Sequence, residues 1–189
     1  MNFMKNMKIG SRLYTMLAVQ LVALLAVAAV AVATMHKIGT KLTDIAEEDI
    51  PLTEMIQKIT VHQLEQAILA EQAIAIGSAK TGKAINSIED VRTKFDALAK
   101  KVDGEILKAE EIAQHGIEHG HSVEVREEFK KVFDKLKQIE VDHKSFDDHV
   151  LQMMDKIATD NLDGLIKLEK QIHAEEKALD HAVEALLEE

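Results

Sequence analysis

The feature that most constrains this chain is an apolar stretch near its N-terminus. Residues 13–35 read LYTMLAVQLVALLAVAAVAVATM, which contains no charged side chain and a single strongly polar interior residue, Gln20. A helix rises about 1.5 Å per residue, so roughly 20 apolar residues cross the roughly 30 Å hydrocarbon layer of a membrane. The stretch therefore predicts a transmembrane helix over residues 13–35, with a short segment before it and residues 36–189 after it.

The charges beside this span predict its orientation. Lys5, Lys8 and Arg12 precede the apolar stretch, and the first acidic residue of the chain comes well after it. Basic residues beside a span favour the cytoplasmic side of the membrane. We therefore expect residues 1–12 to be cytoplasmic and residues 36–189 to be exported.

A cleavable signal peptide is the alternative interpretation of the same segment. A lysine-rich start, an apolar run and the small residues of Ala31-Val32-Ala33 are all typical of such peptides. The apolar core of a signal peptide covers about 7–15 residues, and the uncharged run here is longer, which favours an uncleaved anchor. Both interpretations export the rest of the chain.

The composition of residues 36–189 excludes several classes of partner and site. This part carries 20 basic and 33 acidic residues, so it repels nucleic acid and anionic lipid surfaces. The chain has no cysteine, which excludes disulfides, thiol catalysis and thiolate metal sites. It also lacks a nucleophile elbow and a glycine-rich phosphate loop. We therefore predict that the protein is not an enzyme and has no nucleic-acid partner.

Breaks in the sequence divide the exported part into four helical stretches. Turns are predicted at residues 77–82, 115–122 and 160–164, and Pro51 is expected to kink or restart the first stretch. Stretches of roughly 35 residues are about 50 Å long when helical. We predict an all-α fold, an antiparallel up-down-up-down four-helix bundle whose first helix continues from the transmembrane helix.

The third stretch has the most regular apolar pattern, with Ser122 as its expected N-cap. Its apolar seam steps by four and three residues, as in a coiled coil, and comprises Val125, Phe129, Val132, Leu136, Ile139, His143, Phe146, Val150, Met153 and Ile157. The seam predicted for the second stretch is Ile88, Val91, Phe95, Leu98, Val102, Glu105, Ala109 and Ile112. The seam predicted for the fourth is Leu162, Leu165, Glu169, Ile172, Glu176, Leu179, Val183 and Leu186.

Histidine and glutamate residues on or beside the seams form the candidate site. Counted from the predicted turns, three i,i+3 pairs fall at one level of the bundle to within about a turn: His62 and Glu65, Glu140 and His143, and His173 and Glu176. The favoured interpretation is a hydrogen-bonded polar layer that fixes register. The alternatives are a metal or heme-type site, partly solvated positions, and a layer whose histidines titrate near neutral pH. No cofactor is required by the sequence.

Several segments resemble the bacterial methyl-accepting chemotaxis proteins. The segment before the span, residues 5–13 (KNMKIGSRL), resembles their entry sequence, and residues 45–54 and 58–67 resemble the first helix of one group of their sensory domains. The third stretch, with Glu140, His143 and His149, is similar to the third helix of that group. The resemblance implies an inner-membrane protein with a dimeric periplasmic four-helix bundle, followed by a second span, a HAMP linker and a cytoplasmic hairpin that controls a histidine kinase.

The chain departs from that pattern at its C-terminus, because it ends at Glu189 without a second span or a signalling hairpin. We therefore expect the sensory input region of a chemoreceptor-like transducer, a homodimer in the bacterial inner membrane that responds to an unknown small ligand or periplasmic stimulus. The alternative is a stand-alone anchored bundle with a structural or metal-binding role. A di-iron carboxylate oxidase ranks third, since Glu140-x-x-His143 supplies one half of its pattern and a second copy is missing.

Overall fold

The computed structural model describes residues 8–44, 46, 49–78, 84–161 and 163–187, and these residues form five helices and no strand. The helices are α1 (Ile9–Asp44), α2 (Ile50–Ser78), α3 (Ala84–His119), α4 (Val123–Ala158) and α5 (Leu165–Leu187). The chain divides into two compact units, residues 1–45 and 46–189. The first unit is α1, and the second contains α2 to α5.

Helix α1 is apolar on all sides. Its leucine and valine side chains, among them Leu17, Val22 and Leu24, are exposed over the whole predicted span. A helix that is apolar around its full circumference is typical of one surrounded by lipid. Among the described residues, Ile9–Thr43 is the one helical segment long and apolar enough to cross a membrane. The predicted span at 13–35 lies inside it, and residues 1–7 of the predicted cytoplasmic segment lie outside the described part of the chain.

Helices α2 to α5 form the predicted four-helix bundle. Each helix packs against the next along the chain, α2 also packs against α5, and α2 contacts α4 across the centre. The short connections make successive helices antiparallel. The largest fully buried apolar side chains lie on all four helices: Ile59, Ile88, Phe95, Ile106, Leu136, Ile139, Phe146, Met153, Met154, Ile172 and Leu179.

The seam predicted for α4 is confirmed, because every predicted residue is buried except Val125, which is half-buried. Ser122 caps α4 as predicted, and its Oγ accepts a hydrogen bond from the Val125 backbone N–H at 3.2 Å. The seam of α3 is partly wrong. Its buried stripe contains Ala99, Ile106 and Ala113, whereas the predicted Leu98 and Ile112 are half-buried. In α5, Leu162 lies outside the described residues, and the predicted Glu169 is only partly buried.

Of the four predicted breaks, two are confirmed, one is wrong, and one falls mostly outside the described residues. Helix α2 begins at Ile50, which places Pro51 in its first turn, where a missing backbone N–H is tolerated. The third turn falls between α4 and α5 as predicted. Of the first predicted turn, residues 77–78 belong to α2, and residues 79–82 lie outside the described part of the chain. The second turn was predicted too long, because α3 continues to His119 and the turn occupies residues 120–122 alone.

Candidate functional site

Among the described residues of the bundle, the most deeply buried group of polar side chains is built around His143 on α4, whose side chain is 1% exposed. The amide nitrogen of Gln66 donates to Asp147 Oδ1 at 2.9 Å, so the Gln66 carbonyl oxygen faces the imidazole and accepts from Nε2–H at 2.8 Å. The other ring nitrogen, Nδ1, lies 3.1 Å from Asp103 Oδ1 and 3.5 Å from Asp147 Oδ2. We call Gln66, Asp103, His143 and Asp147 the core cluster.

Three helices supply the core cluster, and the sequence explains each position. His143 occupies a seam position of α4, and Asp147 lies four residues later on the same helix face. Gln66 belongs to the buried face of α2. Asp103 follows the buried Val102 on α3 and sits at the edge of the core, with 54% of its side chain exposed. The cluster therefore extends from the centre of the bundle to its surface.

Burial controls the protonation of this cluster. Burial, reinforced by the charge of Asp103, raises the pKa of Asp147 to about 8. Burial also lowers the pKa of His143, against the opposing effect of the Asp103 carboxylate. Both changes favour the uncharged forms at neutral pH. The sequence suggests, as one alternative, a buried histidine that titrates near neutral pH. At His143 burial shifts that titration to lower pH.

The structure distributes the six sequence-predicted site residues among different partners. His62 Nδ1 lies 2.7 Å from Glu105 Oε2, and His62 Nε2 lies 2.7 Å from Lys101 Nζ. These two contacts connect α2 to α3. Glu140 pairs with Lys137 on its own helix at 3.0 Å. Glu65 is exposed and lines a surface groove between α2 and α3. Metal binding by the six residues as one set stays a prediction.

His173 and Glu176 are the predicted pair that the structure keeps together. His173 Nδ1 lies 3.6 Å from Glu176 Oε2 and 3.3 Å from Glu71 Oε1, so this group joins α5 to α2. Burial, together with the nearby charge of Asp180, raises the pKa of Glu176. We call Glu71, His173 and Glu176 the surface cluster, because the His173 side chain is 45% exposed.

Sequence reasoning missed the acidic partners in both clusters. Asp103, Asp147 and Glu71 each follow a buried residue of their helix by one position, and none was a predicted site residue. One signal was present for Asp147, which follows His143 by four residues and shares its helix face. The other acidic partners come from neighbouring helices, and the sequence pattern does not specify how far each of those helices is rotated about its axis.

The outer surface of α2 carries a second feature. Val61, Leu64 and Ile68 are exposed apolar residues at helical spacing, and we call them the α2 stripe. Beside it, an open groove of about 480 Å³ between α2 and α3 is lined by Glu65, Ile68, Leu69, Lys94, Ala97, Leu98 and Lys101. An exposed apolar stripe on a bundle helix is typical of a contact surface.

The comparison with protein families gives one match. A family model described as a four helix bundle sensory module for signal transduction matches residues 6–114, which is more than half of the chain. The matched segment runs from before α1 through α2 and most of α3. No curated protein and no solved structure matches the chain.

Proposed function

Because the chain belongs to the family of four-helix-bundle sensory modules of chemoreceptors, we propose that residues 36–189 are the extracytoplasmic, ligand-responsive region of a transmembrane signal transducer in bacterial chemotaxis. The observation that carries the proposal is that one family match covers both the apolar helix and half of the bundle. The family consists of sensory modules rather than enzymes, and the lack of an enzymatic activity stays a prediction.

The charges around the span support a cytoplasmic N-terminus. Three basic residues precede the span, and two, Lys37 and Lys41, follow it before the acidic bundle begins. Basic residues are retained on the cytoplasmic side, and the larger number lies before the span. In this arrangement the strongly acidic bundle lies in the bacterial periplasm, away from the anionic lipid surface of the cytoplasmic leaflet.

The contacts inside the bundle suggest which helices move in response to a stimulus. Helices α2 and α5 meet through the surface cluster and through Gln63, whose amide nitrogen donates to Asp180 Oδ1 at 3.2 Å. Ion pairs that remain accessible to water, such as His173–Glu71, each stabilise by about 0–1 kcal/mol. A displacement of α5 along α2 by about 1–2 Å is typical of switching helices. We infer that a stimulus is transmitted by such a displacement.

A homodimer is the second part of the proposal. The α2 stripe exposes Val61, Leu64 and Ile68 on one helix face, beside a groove whose rim carries Lys94 and Lys101. Pairing two copies through this face removes the apolar side chains from water. A closed two-fold arrangement uses the same surface on both copies, which is the commonest symmetry among homo-oligomers.

Topology is tested with single cysteines, because the chain has none of its own. A cysteine replacing the exposed Lys144 on α4 should react with a membrane-impermeant maleimide in intact, outer-membrane-permeabilised bacteria. A cysteine replacing Lys8 should react only after the inner membrane is opened. The reverse pattern, or release of residues 36–189 from the membrane by cleavage, would contradict an anchored sensor with a cytoplasmic N-terminus.

Dimerisation is tested in membranes with Leu64→Cys and Lys144→Cys, two exposed positions on α2 and α4. The Leu64→Cys variant should form a disulfide-linked dimer with a mild oxidant, whereas the Lys144→Cys variant should remain monomeric on a denaturing gel. Equal cross-linking at both positions would indicate random collision. No cross-linking at positions 61, 64 and 68 would rule out the α2 stripe as the dimer contact.

A further inference from the structure

The ligand atoms of the core cluster have the spacing of a metal-binding site. One atom each from Asp103, His143 and Asp147 lies within 4.8 Å of the other two. His143 Nδ1 lies 3.1 Å from Asp103 Oδ1 and 3.5 Å from Asp147 Oδ2. Ligands at about 2.0–2.2 Å from a tetrahedral ion are about 3.3–3.6 Å apart. Both carboxylate oxygens therefore lie about one ligand spacing from Nδ1, as they would around a small cation.

A second observation indicates that the cluster takes a positive charge. The Gln66 carbonyl oxygen holds a proton on His143 Nε2, so in the neutral imidazole the Nδ1 lone pair points toward two carboxylate oxygens. The Nδ1 nitrogen and the two carboxylate oxygens, one atom from each of three side chains, then face one point beside an imidazole that is 1% exposed. Such a set is unfavourable unless a cation lies between the three atoms: without a metal ion the proton that Asp147 retains takes this place, and a bound metal ion would displace it.

We propose that the core cluster binds one divalent d-block cation, with Zn²⁺ as the reference ion, through His143 Nδ1, Asp103 Oδ1 and Asp147 Oδ2. An imidazole nitrogen favours zinc and its neighbours over Mg²⁺ and Ca²⁺, which prefer all-oxygen sites. Gln66 completes the arrangement, because metal-ligating histidines commonly donate their other N–H to a carbonyl or carboxylate oxygen.

The position of Asp103 gives the ion a route into the bundle. Its side chain is 54% exposed, whereas His143 is enclosed, so one side of the cluster opens to solvent and leaves room for water as a fourth ligand. A bound ion would connect α3 directly to α4, and through Gln66 would also fix α2. Its role as the stimulus of the sensor rests on the function proposed above, but its binding does not.

The test uses the full-length chain in detergent, stripped of metal by a chelator and titrated with ZnCl₂, with zinc measured after desalting. We expect about one zinc per chain, and at least a tenfold loss of affinity in His143→Gln and Asp147→Asn. Asp103→Asn is a third variant, included because substitution of a half-exposed residue is less disruptive to folding than substitution of a buried one. Circular dichroism monitors the folding of all three variants. Asp103→Asn should show the same loss with unchanged helix content.

The surface cluster supplies the matched control, because it has the same composition of one histidine and two carboxylates. His173→Gln should leave the zinc stoichiometry and affinity unchanged. Zinc binding should also change the ¹⁵N chemical shift of His143 Nδ1, whereas Nε2 should keep its proton and the chemical shift of a protonated nitrogen. Well under one zinc per chain, or loss of zinc in His173→Gln with retention in His143→Gln, would overturn the proposal. Neither result affects the topology and cross-linking tests.

Discussion

The core cluster and the surface cluster contain the same kinds of group and behave differently. Each combines one histidine with two carboxylates whose ligand atoms lie within 4.8 Å of one another. His143 is 1% exposed, whereas His173 is 45% exposed, and burial raises the pKa of Asp147 to about 8. Helical spacing brings such groups together in both places. The depth of burial then decides how much free energy their charges cost.

The helix pairs that carry the two clusters differ in the same direction. At the α3–α4 contact, the Phe95 and Phe146 rings lie 6.2 Å apart between centroids, and Gly116 lies directly against the Phe129 ring. The polar contacts between α2 and α5 include the His173–Glu71 pair, whose two side chains are about half-exposed, and the hydrogen bond from Gln63 to the exposed Asp180. We therefore regard α3–α4 as the rigid side of the bundle and α2–α5 as the side that can shift. The predictions below test this difference, from the largest expected effect to the smallest.

The largest effect is expected for Gly116→Ala at the rigid contact. A Cβ at this position would lie 2.4 Å from the Phe129 ring, so the helices must separate or the ring must move. Overpacking of this kind costs about 1–3 kcal/mol, and we expect about 2–3 kcal/mol here because a ring has little freedom to yield. Urea unfolding of the full-length chain in detergent, followed by circular dichroism, measures the loss.

Gly104→Ala is the control for this change. Gly104 also lies inside α3, but a Cβ there would have no atom within 4 Å, so the better helix propensity of alanine should stabilise by up to about 1 kcal/mol. If both variants are stabilised, the α3–α4 contact is not rigid, and the comparison fails.

Gly116 also shows why the sequence predicted some features and not others. The glycines of residues 115–122 were interpreted as one long turn, yet Gly120 alone ends the helix and Gly116 serves the close approach of Phe129. The apolar seam of α4 could be predicted because the repeat of its apolar residues is a property of that helix alone. The close contact with Phe129 depends on two helices, which local pattern does not specify.

The same limit applies to the candidate site. His143 was predicted as a buried polar residue because its seam position is set by α4 alone. Its partners Gln66 and Asp103 come from α2 and α3, and a small rotation of α3 places Ala99 and Ile106 in the core and Asp103 at its edge. The packing between helices thus determines which histidines and carboxylates lie in contact. Counting residues from the predicted turns gives their height along the bundle but not the rotation of each helix, so it could not predict these pairs.

The second prediction removes the imidazole from the core cluster. In chelator, His143→Leu should destabilise the bundle by about 1–3 kcal/mol, because the buried Gln66 carbonyl oxygen loses its donor. The apolar side chain offsets part of this cost by packing against the seam. A more stable variant would mean that Gln66 reorients toward another donor and that the cluster is not tightly constrained. Thermal and urea unfolding both report the change.

The third prediction is a pH dependence with a defined sign. The pKa of Asp147 is raised from its unfolded value of 3.8 to about 8, so its contribution to stability is fully present below pH 4 and is lost as the pH rises toward 8. The pKa of His143 is lowered from 6.5, so its contribution is present above that pH and is lost in acid. The two effects oppose each other below pH 6.5. Above it, the loss from Asp147 stands alone.

In chelator, the wild-type chain should therefore lose stability between pH 6.5 and pH 8, by roughly 1–2 kcal/mol at a slope of at most about 1.4 kcal/mol per pH unit. Asp103, Asp148 and Asp96 face Asp147 with like charge, and the amide of Gln66 faces it as a donor. Asp147→Asn keeps the size of the side chain and removes the titration, so its curve should be flatter over this range. Parallel curves for the two proteins would show that Asp147 does not hold its proton.

The smallest effect is expected for His173→Leu, the counterpart of His143→Leu on the side of the bundle that can shift. Its contacts with Glu71 and Glu176 span 3.3 Å and 3.6 Å between side chains that remain accessible to water. Water replaces a lost partner there, and exposed ion pairs contribute about 0–1 kcal/mol, so the free energy of unfolding should change by less than about 0.5 kcal/mol. The burial that raises the pKa of Glu176 is partial, and removing a neighbouring imidazole should raise that pKa further without leaving a buried group unpaired.

Unfolding of His143→Leu and His173→Leu in the same chelator-containing buffer compares the clusters directly. Equal losses in the two variants would show that burial does not distinguish them, whereas a loss at position 143 alone would locate the constrained polar group in the core cluster, where α2, α3 and α4 meet.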